Sequence, residues 1–78
     1  MMGTIETINF VSQQMYGVLH QCRNKLIEPG MAAGSILSFA IKFCRNLGVP
    51  WDKIHAAVKE HQDLEGTNII KSIQILKV

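Results

Sequence analysis

The segment of residues 36–47 constrains this chain most, because it is long enough for a helix and almost wholly apolar. Drawn as a helix, it places its few polar residues on one narrow stripe: Ser38, Lys42, Arg45 and Asn46. A surface helix usually buries one apolar stripe and turns a polar face to water. We therefore expect this helix to be the central element of the fold, covered on most sides and in part by another chain.

A first helix is predicted over residues 4–28, with Thr4 as its cap. Its apolar residues recur in steps of three and four and so share one helical face: Ile8, Val11, Met15, Val18 and Cys22. This pattern is close to the seam of a coiled coil, although it covers only two repeats. Pro29-Gly30 predicts the end of this helix, because proline cannot continue the hydrogen-bond ladder.

Two further helices are predicted, over residues 31–47 and over residues 50–63. Gly48 suits the end of the earlier helix, where a left-handed backbone is common. Pro50 suits the first turn of the later one, and Asp52 places a negative charge near its N-terminus. A thin inward-facing stripe is expected on that last helix: Ile54, Ala57, Val58 and His61.

The tail, residues 67–78, fits two structures. A helix capped by Thr67 would place four apolar residues on one side: Ile69, Ile70, Ile73 and Leu76. Residues 73–78 also alternate and are rich in β-branched side chains, which favours a strand. We predict an all-α fold, a three to four helix bundle in a single domain over residues 1–78, with the tail either a helix or a short strand.

Size and composition point to a partner. A chain of 78 residues with 47% hydrophobic residues buries only about 60–65% of the surface that its unfolded form exposes. So much apolar side chain is hard to hide in so small a body. We therefore expect a homo-oligomer, most simply a dimer.

The sequence carries no pattern of export or of a membrane anchor. Residues 1–4 lack a basic stretch followed by an apolar run, and no apolar segment reaches the roughly 18 residues of a membrane span. Cys22 and Cys44 lie in apolar helical surroundings, so we expect buried, reduced thiols in a cytoplasmic protein. The net charge of +2 is not gathered into a block that could bind a membrane or nucleic acid.

No residue pattern predicts catalysis, a metal or a cofactor. The three histidines, His20, His55 and His61, lack the spacing of a zinc-binding helix. The acidic cluster at residues 60–65 is typical of a solvated helix end. We expect a protein that is not an enzyme and that has no cofactor, metal or small-molecule substrate.

Trp51 is the first candidate for contact with a partner. It follows Pro50 at the predicted turn, where it either covers the helical corner or forms an exposed anchor of the kind enriched in protein interfaces. With it we group the nearby basic residues and a histidine as candidate partner-binding residues: Lys42, Arg45, Lys53, His55 and Lys59.

Residues 43–57 resemble a helix-turn-helix motif. Cys44 is the small residue four positions before the turn glycine, and Ile54 and Ala57 would lie inward on the second helix. The resemblance implies a DNA-binding regulator that uses residues 43–60. Its outer face is close to neutral, which is unfavourable for phosphate contact: Asp52, Lys53, His55, Ala56, Lys59 and Glu60.

Residues 36–61 are also similar to the closing helices of MazG-like nucleotide pyrophosphohydrolases, in which an apolar helix ends in Leu-Gly-Ile or Leu-Gly-Val. That family holds Mg²⁺ with an ExxD motif on the apolar helix. The matching positions here are Ala32 and Ser35, which cannot act as carboxylate ligands, and the first helix lacks the family's ExxE. The resemblance implies a related helical architecture without the metal site.

These patterns together favour a small helical regulator or adaptor that acts by protein–protein interaction and associates with itself. Phage-type inhibitors of host machinery share this profile of a short, apolar-rich chain without catalytic residues. The DNA-binding regulator is the alternative, and a degenerate MazG-like protein comes third.

Overall fold

A computed structural model describes residues 1–62 and 68–77. Within them the chain forms four α-helices: α1 (Thr4–Asn24), α2 (Pro29–Asn46), α3 (Trp51–Lys59) and α4 (Ile69–Leu76). The predicted all-α class is confirmed for this part of the chain. None of these helices is long and apolar enough to cross a membrane.

The boundary between α1 and α2 differs from the prediction. The Glu28 carboxylate accepts hydrogen bonds from the backbone N–H groups of Gly30 and Met31, both at 2.9 Å, and so caps α2. Pro29 is the first residue of α2, where the N–H that proline lacks would have no helical partner anyway. The prediction that Pro29-Gly30 end the first helix was therefore wrong.

The start of α1 also differs from the prediction. Gly3 occupies the N-cap position and makes no side-chain cap, while Thr4 is the first helical residue. The Thr7 hydroxyl donates a hydrogen bond to the Gly3 carbonyl at 2.8 Å. The predicted capping role of Thr4 was wrong.

Helix α2 ends in a Schellman turn centred on Gly48. The Gly48 N–H donates to the Arg45 carbonyl at 3.0 Å, and the Val49 N–H donates to the Cys44 carbonyl at 3.1 Å. Gly48 has a φ of 84°, in the left-handed region that glycine adopts without a steric penalty. The predicted role of Gly48 is confirmed.

Helix α1 ends in the same kind of turn without a glycine. The Leu26 N–H donates to the Arg23 carbonyl and the Ile27 N–H to the Cys22 carbonyl, both at 3.0 Å. Leu26 has a φ of 56° and is the one described non-glycine residue with a positive φ. A leucine in this conformation carries backbone strain.

The chain divides into two compact units, Met1–Leu37 and Ser38–Val78, and the division falls inside α2. The first unit holds α1 and the first part of α2. No residue of α1 is buried, and Ala32 is the buried hydrophobic residue of this unit.

The second unit has a small core around α3 and α4. Its buried hydrophobic residues are Val49, Ile54 and Ala57, so the inward positions predicted for Ile54 and Ala57 are confirmed. Val58, by contrast, is exposed, and its predicted inward position was wrong. Helix α3 ends at Lys59, before the predicted Asp63, which lies outside the described residues.

Hydrogen bonds connect α4 to α3. The buried Ser72 hydroxyl donates to the Ala57 carbonyl at 3.0 Å, in the last turn of α3 where carbonyl groups lack helical donors. An ion pair joins Lys71 to Glu60 at 3.5 Å. The Asn68 side chain caps α4 by accepting from the Lys71 N–H at 2.9 Å, whereas Thr67, the predicted cap, lies outside the described residues.

Candidate partner-binding surface

Trp51 lies at the start of α3 between two polar neighbours. The Arg45 guanidinium carbon is 5.1 Å from the centroid of the Trp51 ring, within the range of a cation–π interaction. The His55 ring centroid lies 5.9 Å from that of Trp51, with the two planes at 48°. Trp51 is 49% exposed, while Val49, which is 1% exposed, fills the corner. Trp51 is thus about half exposed and contacts Arg45 across the corner, and its role as an anchor for a partner stays a prediction.

Helix α2 carries a row of exposed apolar residues, the α2 row, formed by Phe39, Phe43 and Leu47. Phe39 is 70% and Phe43 64% exposed. Since residues four apart lie on one side of a helix, the three side chains follow one line. The two phenylalanines border a shallow groove of about 370 Å³ that Lys42 and Asn46 complete.

The α2 row faces away from the core of its unit. The half-buried residues of α2 in this unit are Ile41 and Cys44. At about 100° per residue, Phe39 lies roughly 160° around the helix from Ile41. Both sides of this part of α2 are therefore apolar, and the outer one is uncovered. The part of the chain that the structure describes does not cover Phe39 and Phe43, and the prediction that another chain covers part of this helix stays a prediction.

The remaining candidate residues lie on α3. Lys53 and Lys59 are both exposed. Lys59 follows Trp51 by eight residues and so lies about 80° around the helix from it, on the same side as His55. Lys53 lies about 160° from Trp51, on the other side of the buried stripe. The structure therefore brings together Arg45, Trp51 and His55. It places Lys59 one helical turn beyond His55, places Lys42 in the groove of α2 and leaves Lys53 apart.

The predicted helix-turn-helix corner is present as a local geometry. Helix α2 ends in the Gly48 turn, Val49 is buried beneath the corner, and α3 begins at Trp51. The outer side of α3 is slightly more basic than its sequence indicates, because Glu60 is paired with Lys71. Asp52, Lys53 and Lys59 are the charged residues of α3 that remain exposed.

The first unit presents a second apolar surface, which is only partly covered. On α1 the centre of the predicted face, formed by Ile8, Met15 and Cys22, is half-buried, and its edges are exposed. Helix α1 carries two charged residues in its length, Glu6 and Arg23. Surfaces depleted of charge in this way are typical of the centre of protein interfaces.

One histidine and one serine contact each other, at the junction of α3 and α4. The Ser72 oxygen lies 2.9 Å from His61 Nε2. Because the single hydroxyl proton of Ser72 is donated to the Ala57 carbonyl, His61 must be the donor in this contact. The hydroxyl is thus buried and already engaged as a donor, an arrangement that stabilises the junction and does not activate a nucleophile.

The described residues contain no group of three or more histidine, cysteine or acidic side chains placed to hold a metal ion. Cys22 and Cys44 are free thiols, and both are half-buried, less covered than the buried positions predicted for them.

Sequence reasoning missed the α2 row, although a signal for it was available. Phe39 and Phe43 lie next to Asn46 around the helix, at one edge of the predicted polar stripe. The polar face of a surface helix is turned to solvent, so apolar residues at its edge lie close to the exposed side. The spacing of four residues between the aromatic rings then identifies an exposed row.

The chain matches no protein-family model, and comparison with curated proteins and with solved structures finds no similar chain. The likenesses to helix-turn-helix proteins and to MazG-like enzymes are thus likenesses of short sequence patterns. A functional proposal for this chain therefore rests on its own fold and surfaces.

Proposed function

We propose that this protein is a non-enzymatic helical interaction module, a regulator or adaptor that pairs with a second copy of itself and acts by occupying a surface of another protein. Phage-type inhibitors of host machinery belong to this class of small proteins. The observation that carries the proposal is the apolar surface left exposed at the edges of the α1 face and along the α2 row, with no buried residue in α1.

Self-pairing is assigned to α1. Its apolar face repeats every seven residues at Ile8, Met15 and Cys22, with Val11 and Val18 between them, a spacing suited to packing against another helix. The scarcity of charge on α1 favours pairing of identical surfaces, because no like charges are brought together.

Sedimentation equilibrium tests the pairing. We expect a dimer at micromolar concentrations, and Val11→Glu should raise its dissociation constant by at least about tenfold, because a carboxylate would enter the apolar contact. Gln13→Glu adds the same charge about 160° around the helix and should leave the dimer intact. A monomer at high micromolar concentration for the unaltered chain would refute self-pairing.

DNA binding is the second candidate, and the observed corner between α2 and α3 favours it. On this hypothesis α3 contacts the major groove and Lys53 and Lys59 contact phosphates. Affinity for duplex DNA should then fall steeply with salt, and Lys53→Ala or Lys59→Ala should weaken it, while Lys77→Ala should not. Absence of binding at low salt would eliminate this function.

A further inference from the structure

We propose that the groove of α2 binds an amphipathic helix of another protein, one whose apolar residues are flanked by aspartate or glutamate. This inference rests on the proposed function, since it names the partner surface of the interaction module. The lining residues are Phe39, Lys42, Phe43 and Asn46.

The apolar part of the proposed contact is the α2 row. Helices that dock into grooves do so through large apolar side chains repeated every three or four residues. Phe39, Phe43 and Leu47 offer the matching repeat from the receiving side, and all three are exposed. Aromatic residues bury large areas and are prominent in the centres of interfaces.

Charge selects the kind of helix that fits. Residues 29–51 contain no aspartate or glutamate, and their charged residues are Lys42 and Arg45. Lys42 lines the groove itself. Arg45 follows Phe43 by two residues and so lies about 160° around the helix from it, with its guanidinium against the Trp51 ring and not at the groove. With Lys42 at the groove and no acidic residue in this segment, an acidic helix is electrostatically complementary to it.

Lys42 also disfavours a second copy of α2 as the occupant. A twofold contact between two α2 helices centred on Phe43 would place Lys42 of each copy near Lys42 of the other. Like charges brought together at an interface suppress the pairing. Helix α1, with one acidic and one basic residue, carries no such repulsion. The two surfaces thus differ in their occupants: a second copy for α1 and an acidic helix for α2.

The probe is a displayed library of randomised helical peptides of about four turns, roughly 15 residues. Selection on the full chain, with counter-selection on Phe43→Glu, isolates peptides that need the α2 row. We expect enriched sequences to combine apolar residues at three- and four-residue spacing with acidic residues beside them. Enrichment without acidic residues, or no enrichment, overturns the proposal.

A charge exchange then tests the role of Lys42 with a synthesised selected peptide. Lys42→Glu should weaken binding by at least about tenfold, and a peptide with lysine in place of its acidic residue should recover much of that loss. Lys77→Glu makes the same charge change outside the groove and should leave binding nearly unchanged. Equal losses for the two variants overturn the proposal.

Two further measurements distinguish the proposal from its rivals. If anionic phosphatidylglycerol vesicles or duplex DNA compete with the selected peptide for the groove as effectively as unlabelled peptide does, the proposal of a protein helix is overturned. Sedimentation of Phe43→Glu should show an unchanged dimer. If Phe43→Glu loses peptide binding and remains a dimer, the result supports separate roles for the α1 and α2 surfaces. If the unaltered chain does not dimerise, only the proposal of self-pairing is refuted.

Discussion

The two turns that follow α1 and α2 have the same hydrogen bonds and different surroundings. After α2, glycine takes the left-handed position, and the next residue, Val49, is 1% exposed. After α1, Leu26 takes the left-handed position at 92% exposure, and the next residue, Ile27, is 39% exposed. A Schellman turn is usually completed by an apolar contact of the residue after the left-handed one. The residue that makes this contact is buried in the second unit and only partly covered in the first.

The difference between the turns extends to the units that contain them. In Ser38–Val78 the turn, α3 and α4 share a core, and Ser72 satisfies the end of α3. In Met1–Leu37 the helix α1 has no buried residue. The second unit therefore has a core of its own, while most residues of α1 in the first unit are exposed.

The largest expected effect is the difference in stability loss between alanine substitutions at Val49 and at Ile27. Val49→Ala removes two methyl groups from a side chain that is 1% exposed and should lower the free energy of unfolding by about 2–3 kcal/mol. Ile27→Ala, at an exposed position in the equivalent turn, should cost less than about 1 kcal/mol. Urea unfolding of both variants measures the difference. Equal losses would mean that the first turn is as well covered as the second, and the comparison would fail.

The next effect concerns the connection between α3 and α4. Ser72→Ala leaves the Ala57 carbonyl and His61 Nε2 without their shared partner, at a cost of about 1–2 kcal/mol in unfolding free energy. Ser12→Ala on the exposed part of α1 is the matched control and should change stability by less than about 0.5 kcal/mol. Hydrogen exchange of the α4 amides should accelerate in Ser72→Ala. An unchanged exchange rate would show that this hydrogen bond does not hold α4 in place.

The third expected effect is the loss of stability in Gly48→Ala, which should come from backbone strain alone. A Cβ added at Gly48 meets no atom within 4 Å, so Gly48→Ala introduces backbone strain without a steric clash. At a φ of 84° the substitution should cost about 1 kcal/mol. Thermal unfolding measures this loss, and Gly17→Ala, at a helical glycine whose Cβ would also meet no atom, should instead raise stability. A neutral Gly48→Ala would show that the turn can adopt another geometry.

The helices were predictable from the sequence because apolar periodicity is a local signal, whereas two of their ends were not. Pro29-Gly30 predicted a helix end because proline breaks a helix interior, but proline is also favoured in the first turn. The deciding interaction is the Glu28 carboxylate on two backbone N–H groups. Glutamate is not among the preferred capping residues. The sequence therefore favoured a helix that ends at Pro29, whereas a helix begins there.

The candidate surface was only partly predictable, for a different reason. Arg45, Trp51 and His55 were grouped by proximity along the chain, and the structure places them together. The apolar composition of α2 was evident, yet composition does not state which apolar residues the rest of the chain covers. With a core as small as that of the second unit, Phe39 and Phe43 remain outside it. Burial depends on distant residues and is therefore less predictable than helix formation.

The smallest expected effect has the opposite sign and addresses Leu26. Leu26→Gly relieves the strain of a left-handed leucine, about 1–2 kcal/mol, and introduces the greater unfolded-state freedom of glycine, about 0.5–1 kcal/mol. The net expectation is a stabilisation of about 0.5 kcal/mol, because a side chain this exposed has little burial to lose. Leu26→Ala keeps the strain and should be nearly neutral. The difference between the two variants, measured by urea unfolding at concentrations where the chain is monomeric, isolates the backbone contribution. If both variants lower stability, the Leu26 side chain is covered in solution, as Val49 is in the second unit. If only the glycine variant is stabilised, the leucine is retained at a cost to stability. Such a cost is expected of a residue that contacts a partner.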